Sequence, residues 1–196
     1  EGDAAGAIAG ATTVVEGDYA APYQAHACME PMNCTVSISD GRADVFGGFQ
    51  NPPGALAVVA EQLGMDPINV FSHTAFLGGG FGRRTRNDEV RQAAEIARQV
   101  GRPVKLVWAR EEDIMQNKMR PMAVARFKAG LGPDGLPVGY HARVAGHSIT
   151  AHIRPERIDE TGLDNSLLAG IRNQPYSMPN QLVDMHIRNS HIPVHF

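Results

Sequence analysis

The chain has 196 residues, 43% of them hydrophobic and 20% charged, the profile of an ordinary globular protein with room for one substantial domain or two small ones. A formal net charge of −3 and the lack of any Lys/Arg run exclude the electrostatic footprint of nucleic-acid binding. No stretch nears the roughly 18 uninterrupted apolar residues of a membrane span, and two cysteines, Cys28 and Cys34, are too few for a disulfide framework or an iron–sulfur cluster.

Residues 1–11 are rich in Gly and Ala and lack the basic start and apolar centre of a signal peptide. They read as a flexible lead-in or a frayed helix end, ahead of domain material over residues 12–196. There is no initiator Met, so a processed product or an excised piece is expected. "TTVVEGDY" (12–19) is rich in β-branched residues and predicts a strand. Residues 33–48 predict two strands around Asp40-Gly41, a dipeptide suited to the positive φ values of a hairpin turn. In "NPPGALAVVAEQLGM" the prolines suit a first helical turn. Leu56, Val59, Ala60 and Leu63 follow helical spacing, and Gly64 is a stop signal. "INVFSHTAFL" (68–77) predicts a strand running into a glycine cluster, "GGGFGRR".

Beyond the cluster, Val90, Ala93, Ala94, Ala97 and Val100 form one apolar stripe of a helix. Asp88 and Glu89 sit near its positive end, and Gly101 and Pro103 close it. "VKLVWA" (104–109) predicts a strand and "REEDIM" a short helical turn. Two longer strands follow, joined by the turn Gly132-Pro133-Asp134-Gly135. Residues 151–180, interrupted by Pro155, Pro175 and Pro179, read as loop, and residues 181–194 alternate as a strand. Hairpins mixed with strand–helix–strand units define an α+β fold with mixed sheets.

The glycine cluster carries the chemistry. Without Cβ atoms, a bend between strand and helix lets backbone N–H groups approach an anion, and the helix beyond adds unpaired N–H groups and a partial positive charge. Arg83, Arg84 and Arg86 are placed to add charge-assisted contacts to phosphate. No Gly-Lys-Ser/Thr ends the cluster, so it is not a P-loop, and its glycine spacing departs from the Rossmann fingerprint. From the residues alone two readings stand: an anion cradle, or a tight turn that lets strand and helix pack closely.

Four stretches in order resemble the molybdenum-binding large subunit of the xanthine dehydrogenase/aldehyde oxidase family. They are "PYQAHACMEPMNC" (22–34), "FGGFQNP" (46–52), "LGGGFGRR" (77–84) and "GRPVKLVWAREEDI" (101–114). The resemblance is to the branch containing isoquinoline 1-oxidoreductase and bacterial membrane-associated aldehyde dehydrogenases, where xanthine dehydrogenases have "GGGFGGK". It implies the molybdopterin-binding fold of that family. It also implies an oxidoreductase that hydroxylates aldehydes or N-heterocycles with oxygen from water. The implied cofactor is molybdenum–molybdopterin, in bacteria usually as the cytosine dinucleotide form. The implied partners are the rest of the large subunit, a small iron–sulfur subunit and, in some assemblies, a cytochrome subunit. By the same resemblance Gln24 aligns with the glutamine whose amide hydrogen-bonds a metal oxo group, and Gly79, Gly80, Phe81 and Gly82 form the loop against the metal end of the cofactor. The family's base glutamate and substrate arginine have no counterpart among these residues, so the chain by itself is expected to be inactive. The compartment stays open between the bacterial cytoplasm and a periplasmic or membrane-associated complex.

Other residues have plainer explanations. The spacing of Cys28 and Cys34 fits no common zinc pattern, and buried thiols are the favoured reading. Glu30 is read as a structural carboxylate holding backbone or an arginine rather than as a base. Asp184, His186 and Arg188 read as one polar strand face, and "REED" (110–113) as a helix start. Two rival functions are a nucleotide- or anion-binding module without redox chemistry, and a non-catalytic scaffold.

Overall fold

A computed structural model describes residues 1–158 and 160–196. The chain divides into two compact units, one of residues 1–24 with 119–195, the other of residues 25–118 with Phe196. Each carries its own four-stranded sheet.

In the first unit, α1 (Ala4–Ala9) is followed by β1 (Thr13–Ala21), β6 (Ala123–Leu131), β7 (Pro137–Gly146), α5 (Ile149–Ile153) and β8 (Gln181–Ile187). The sheet order is β1-β6-β7-β8, antiparallel except for the parallel β7–β8 pair. Residues 4–9 of the lead-in therefore form a helix, its first turn closed by Asp3 accepting from Gly6 N–H, with Ala4 and Ile8 buried. The facing pair Gly130 and Gly139 lets α1 lie close on the strands: a Cβ at Gly130 would stand 2.7 Å from Ala11 Cβ, and one at Gly139 3.0 Å from Ala7 Cβ. Cross-strand charges lace the surface, Asp18 to Arg126 and Asp184 to Arg143, each at 2.7 Å.

In the second unit come β2 (Asn33–Ser39), β3 (Arg42–Gly47), α2 (Pro52–Leu63), β4 (Val70–Thr74), α3 (Asp88–Val100), β5 (Val104–Val107) and α4 (Arg110–Met115). The order is β4-β3-β2-β5. Asp40 and Gly41 both take positive φ, so the expected two-residue hairpin joins β2 to β3. β3 and β4 are parallel, which requires a crossover, and α2 supplies it. One sheet face, with Cys34, Val36, Ala43 and Val45, packs against Ala55, Val59 and Ala60 of α2 and Val90, Ala93, Ala94 and Ala97 of α3. Each such valine taken fully out of water contributes about 1.5–3 kcal/mol. The expected stripe holds except at its end: Val100, the last helical residue, is 56% exposed.

The strand expected over 68–77 is shorter. A 3-10 turn occupies Pro67–Asn69, and β4 ends at Thr74. Its ladder with β3 stops at Gly47, whose carbonyl takes a last bond from Ala75 N–H at 2.9 Å. The chain then enters the glycine bend at the carboxyl end of a parallel strand.

Candidate functional site

The bend over residues 76–84 is tied down by the two motifs that precede it in sequence. Glu30 grips one side. Its Oε2 accepts from Gly78 N–H at 2.7 Å and from Arg84 Nη2 at 3.0 Å, while its Oε1 accepts from Asn33 at 2.9 Å. Glu30 N–H in turn donates to the Gly78 carbonyl at 3.1 Å. Burial pushes the Glu30 carboxyl up, but Gly78, Asn33 and Arg84 together outweigh it and hold the group below the usual carboxylate range. The structural reading of Glu30 is thus the one the geometry supports.

Gln50 grips the other side, its Oε1 accepting from Gly82 N–H at 2.9 Å and its own N–H donating to the Arg84 carbonyl at 3.3 Å. The spacing of the motif drew attention to "FGGFQNP" as a whole, yet nothing in the sequence singled out Gln50 within it.

The arginines act differently from expectation. Arg84 is fully buried and donates to the carbonyls of Gly79 (2.9 Å), Gly48 (3.4 Å), Glu30 (2.9 Å) and Pro31 (3.3 Å). Arg83 is also buried, 3.3 Å from Asp88 and 3.7 Å from Asp113, with its guanidinium 5.3 Å from the Trp108 ring. Arg86 pairs with Asp88 at 2.9 Å. The phosphate contacts proposed for them are excluded for Arg83 and Arg84, because a guanidinium packed inside the unit and committed to carbonyls or carboxylates cannot reach a ligand. They hold the bend from behind.

Both readings of the glycines are partly right. A Cβ at Gly78 would stand 2.6 Å from Glu30 Cβ, one at Gly80 would collide with the Gln50 side chain, and one at Gly82 with the Phe196 backbone. Close packing within the unit therefore demands glycine at these positions. Gly79 and Gly82 take φ of 100° and 96° and Phe81 takes 52°, an uncommon value for an aromatic residue that costs about 1–2 kcal/mol. Such strain is held by the tethers on either side.

The result is a sorted set of amides. Gly78 N–H goes to Glu30, Gly82 N–H to Gln50, and Arg83 N–H to the Gly80 carbonyl at 2.8 Å. Among the described residues the N–H groups of Gly79 and Gly80 have no hydrogen-bond partner. Beneath them the buried Cys28 thiol donates to the Gly80 carbonyl at 3.3 Å, and burial pushes that thiol up, against the opposing pull of Arg84. Phe81 is 60% exposed. Among the described residues no group of three or more His, Cys, Asp or Glu side chains is placed to hold a metal ion.

Gln24 belongs to the other unit. It exchanges two backbone hydrogen bonds with Arg120, at 3.3 and 2.8 Å, and its exposed side-chain amide makes no hydrogen bond among the described residues. Its neighbour Tyr23 is anchored through Oη to His147 Nδ1 at 3.1 Å and Ser190 Oγ at 2.8 Å. His147 is 1% exposed, and burial, with His152 nearby, pushes its imidazole below the usual range. Gln24 thus sits on a fixed backbone with a free carboxamide.

Two mixed sheets and a strained bend presenting bare amides define a cofactor-binding domain, and comparison with known proteins says which kind. The chain belongs to the molybdopterin cofactor-binding domain family, whose model matches residues 1–193. It is 34% identical over 136 residues to the beta subunit of isoquinoline 1-oxidoreductase from Brevundimonas diminuta, covering 68% of this chain and 17% of that protein. It is 31% identical over 123 residues to the membrane-bound aldehyde dehydrogenase [pyrroloquinoline-quinone] of Gluconacetobacter polyoxogenes, covering 62% and 16%. Among solved structures, the aldehyde oxidoreductase of Desulfovibrio gigas shares its fold with a TM-score of 0.61 at 22% identity, over 76% of this chain and 17% of that one. Quinoline 2-oxidoreductase from Pseudomonas putida 86 does so with a TM-score of 0.61 at 18% identity, over 75% and 19%. The chain spans less than a fifth of the length of each of these four.

Proposed function

We propose that this chain is the part of a molybdenum hydroxylase that receives the metal end of molybdopterin, in an enzyme that oxidises aldehydes or N-heteroaromatic compounds with water as oxygen source. The observation that carries the reading is the pair of unpartnered amides at Gly79 and Gly80 in a bend whose other polar groups are all committed. An N–H with no partner and little freedom is ready to donate to an anionic group at small reorganisation cost. When bound, the cofactor supplies the redox centre at which the substrate carbon is hydroxylated.

This chain's own residues bind and orient. Gly79 and Gly80 donate backbone N–H groups to an anionic oxygen of the cofactor, the Phe81 ring and the Gly82 turn shape the approach, and Gln24 offers its amide to the metal end. The base and the substrate arginine are expected elsewhere in the full protein. The cytosine dinucleotide form is the one we assign to a bacterial member, and the relatives named as subunits support an assembly with an iron–sulfur subunit and, in some cases, a cytochrome.

Molybdenum analysis and pterin fluorescence on the complete protein, purified with its partners, test the reading. About one molybdenum per copy, with cytidine monophosphate released on hydrolysis, is the expected result. Turnover by a preparation containing neither molybdenum nor pterin would reject it.

A further inference from the structure

Gln50 has a carboxamide with one end in use. Its Oε1 accepts from Gly82 N–H at 2.9 Å, and since an amide N–H can only donate, the oxygen end must be the one facing Gly82. The orientation of the group is therefore fixed by the bend itself. Its Nε2 has no partner among the described residues, and the residue is exposed. The side chain lies over Gly80, whose missing Cβ makes the room for it, so the amide rests on the same residue that holds an unpartnered N–H.

Resting on the function proposed above, we propose that Gln50 is a cofactor-contacting residue, its amide NH2 serving as a third donor beside the N–H groups of Gly79 and Gly80 for an anionic oxygen of molybdopterin. Through Oε1 the same side chain keeps Gly82 N–H out of competition for that oxygen. One carboxamide thus divides the bend into a structural half and a ligand half.

The two ends can be separated by substitution in the complete protein. Gln50→Glu keeps an acceptor for Gly82 N–H and nearly the same size, but replaces the donor with a negative charge. Molybdenum retained after gel filtration should fall about tenfold, the factor expected for losing a hydrogen bond to a charged group. The melting temperature of cofactor-free protein, made in a host unable to synthesise the pterin, should stay near that of wild type. Gln50→Lys reverses the logic, losing the acceptor and keeping a donor, and should retain molybdenum; it decides the matter if the Glu variant does not fold. Wild-type molybdenum content in Gln50→Glu, or a loss in Gln50→Lys as complete as in the Glu variant, would overturn the proposal while leaving the bend's role intact. Wild-type protein without molybdenum would overturn the proposed function and this inference with it.

Discussion

Arg84 Nη2 lies 3.0 Å from Glu30 Oε2 and donates to the Glu30 backbone carbonyl at 2.9 Å, across 54 residues of sequence. The guanidinium is fully buried while the carboxylate is partly open to water, so the pair is a peg rather than a surface ion pair. Its other donors reach Gly79 and Gly48, which makes Arg84 the common anchor of three segments.

Removing it should be costly. Arg84→Met strands the carbonyls of Gly79 and Glu30 and leaves Glu30 without its cation. Loss of one partner of a buried pair costs about 3–5 kcal/mol, so the melting temperature of the complete protein should drop by several degrees. Arg84→Lys should recover only part, because an ammonium has three donors and cannot span the planar fork of acceptors. Calorimetry on both variants checks this; a Lys variant as stable as wild type would show that charge alone matters.

Glu89 gives a pH dependence. It is 0% exposed at the start of α3, and neither carboxylate oxygen has a hydrogen-bond partner. Burial pushes its carboxyl up, and the nearby Arg83 and the positive helix end do not undo it. A folded-state value above the unfolded one favours the protonated form. The stability it brings is complete below the unfolded glutamate value and is lost as pH rises through the folded one. Glu89→Leu should therefore be more stable than wild type near pH 8, by about 1–3 kcal/mol, with the gap closing toward pH 4. Thermal unfolding across that range reads it directly; a gap independent of pH would mean that packing, not ionisation, sets the difference.

Asp184 should behave in the opposite sense. Its hydrogen bond from Arg143 is the main cause that holds its carboxyl down at about 2, with His141 helping against burial. The contribution is present above the unfolded aspartate value and is lost as pH falls toward 2. Arg143 is largely exposed, so Asp184→Asn should cost no more than about 1 kcal/mol at pH 7. The cost should shrink as the solution is acidified, measured as the difference in melting temperature between variant and wild type.

Periodicity alone identified α2, α3 and the β2–β3 and β6–β7 hairpins, because each is specified by neighbours within a few residues: a turn dipeptide at Asp40-Gly41, an apolar repeat at Val90, Ala93, Ala94 and Ala97. The bend at Gly78–Gly82 was equally visible, and so was its family. Its internal division was not. Which amides stay open is decided by acceptors 48 and 32 residues away in sequence, Glu30 on Gly78 and Gln50 on Gly82. The fate of Arg83 and Arg84 was hidden for the same reason. Charge in a sequence says nothing of burial, and only the packing of β2, β3 and α3 around them turned two apparent ligand contacts into internal struts. Local chemistry therefore set where the bare backbone lies, while long-range contacts, which no window of sequence contains, selected the two N–H groups it offers.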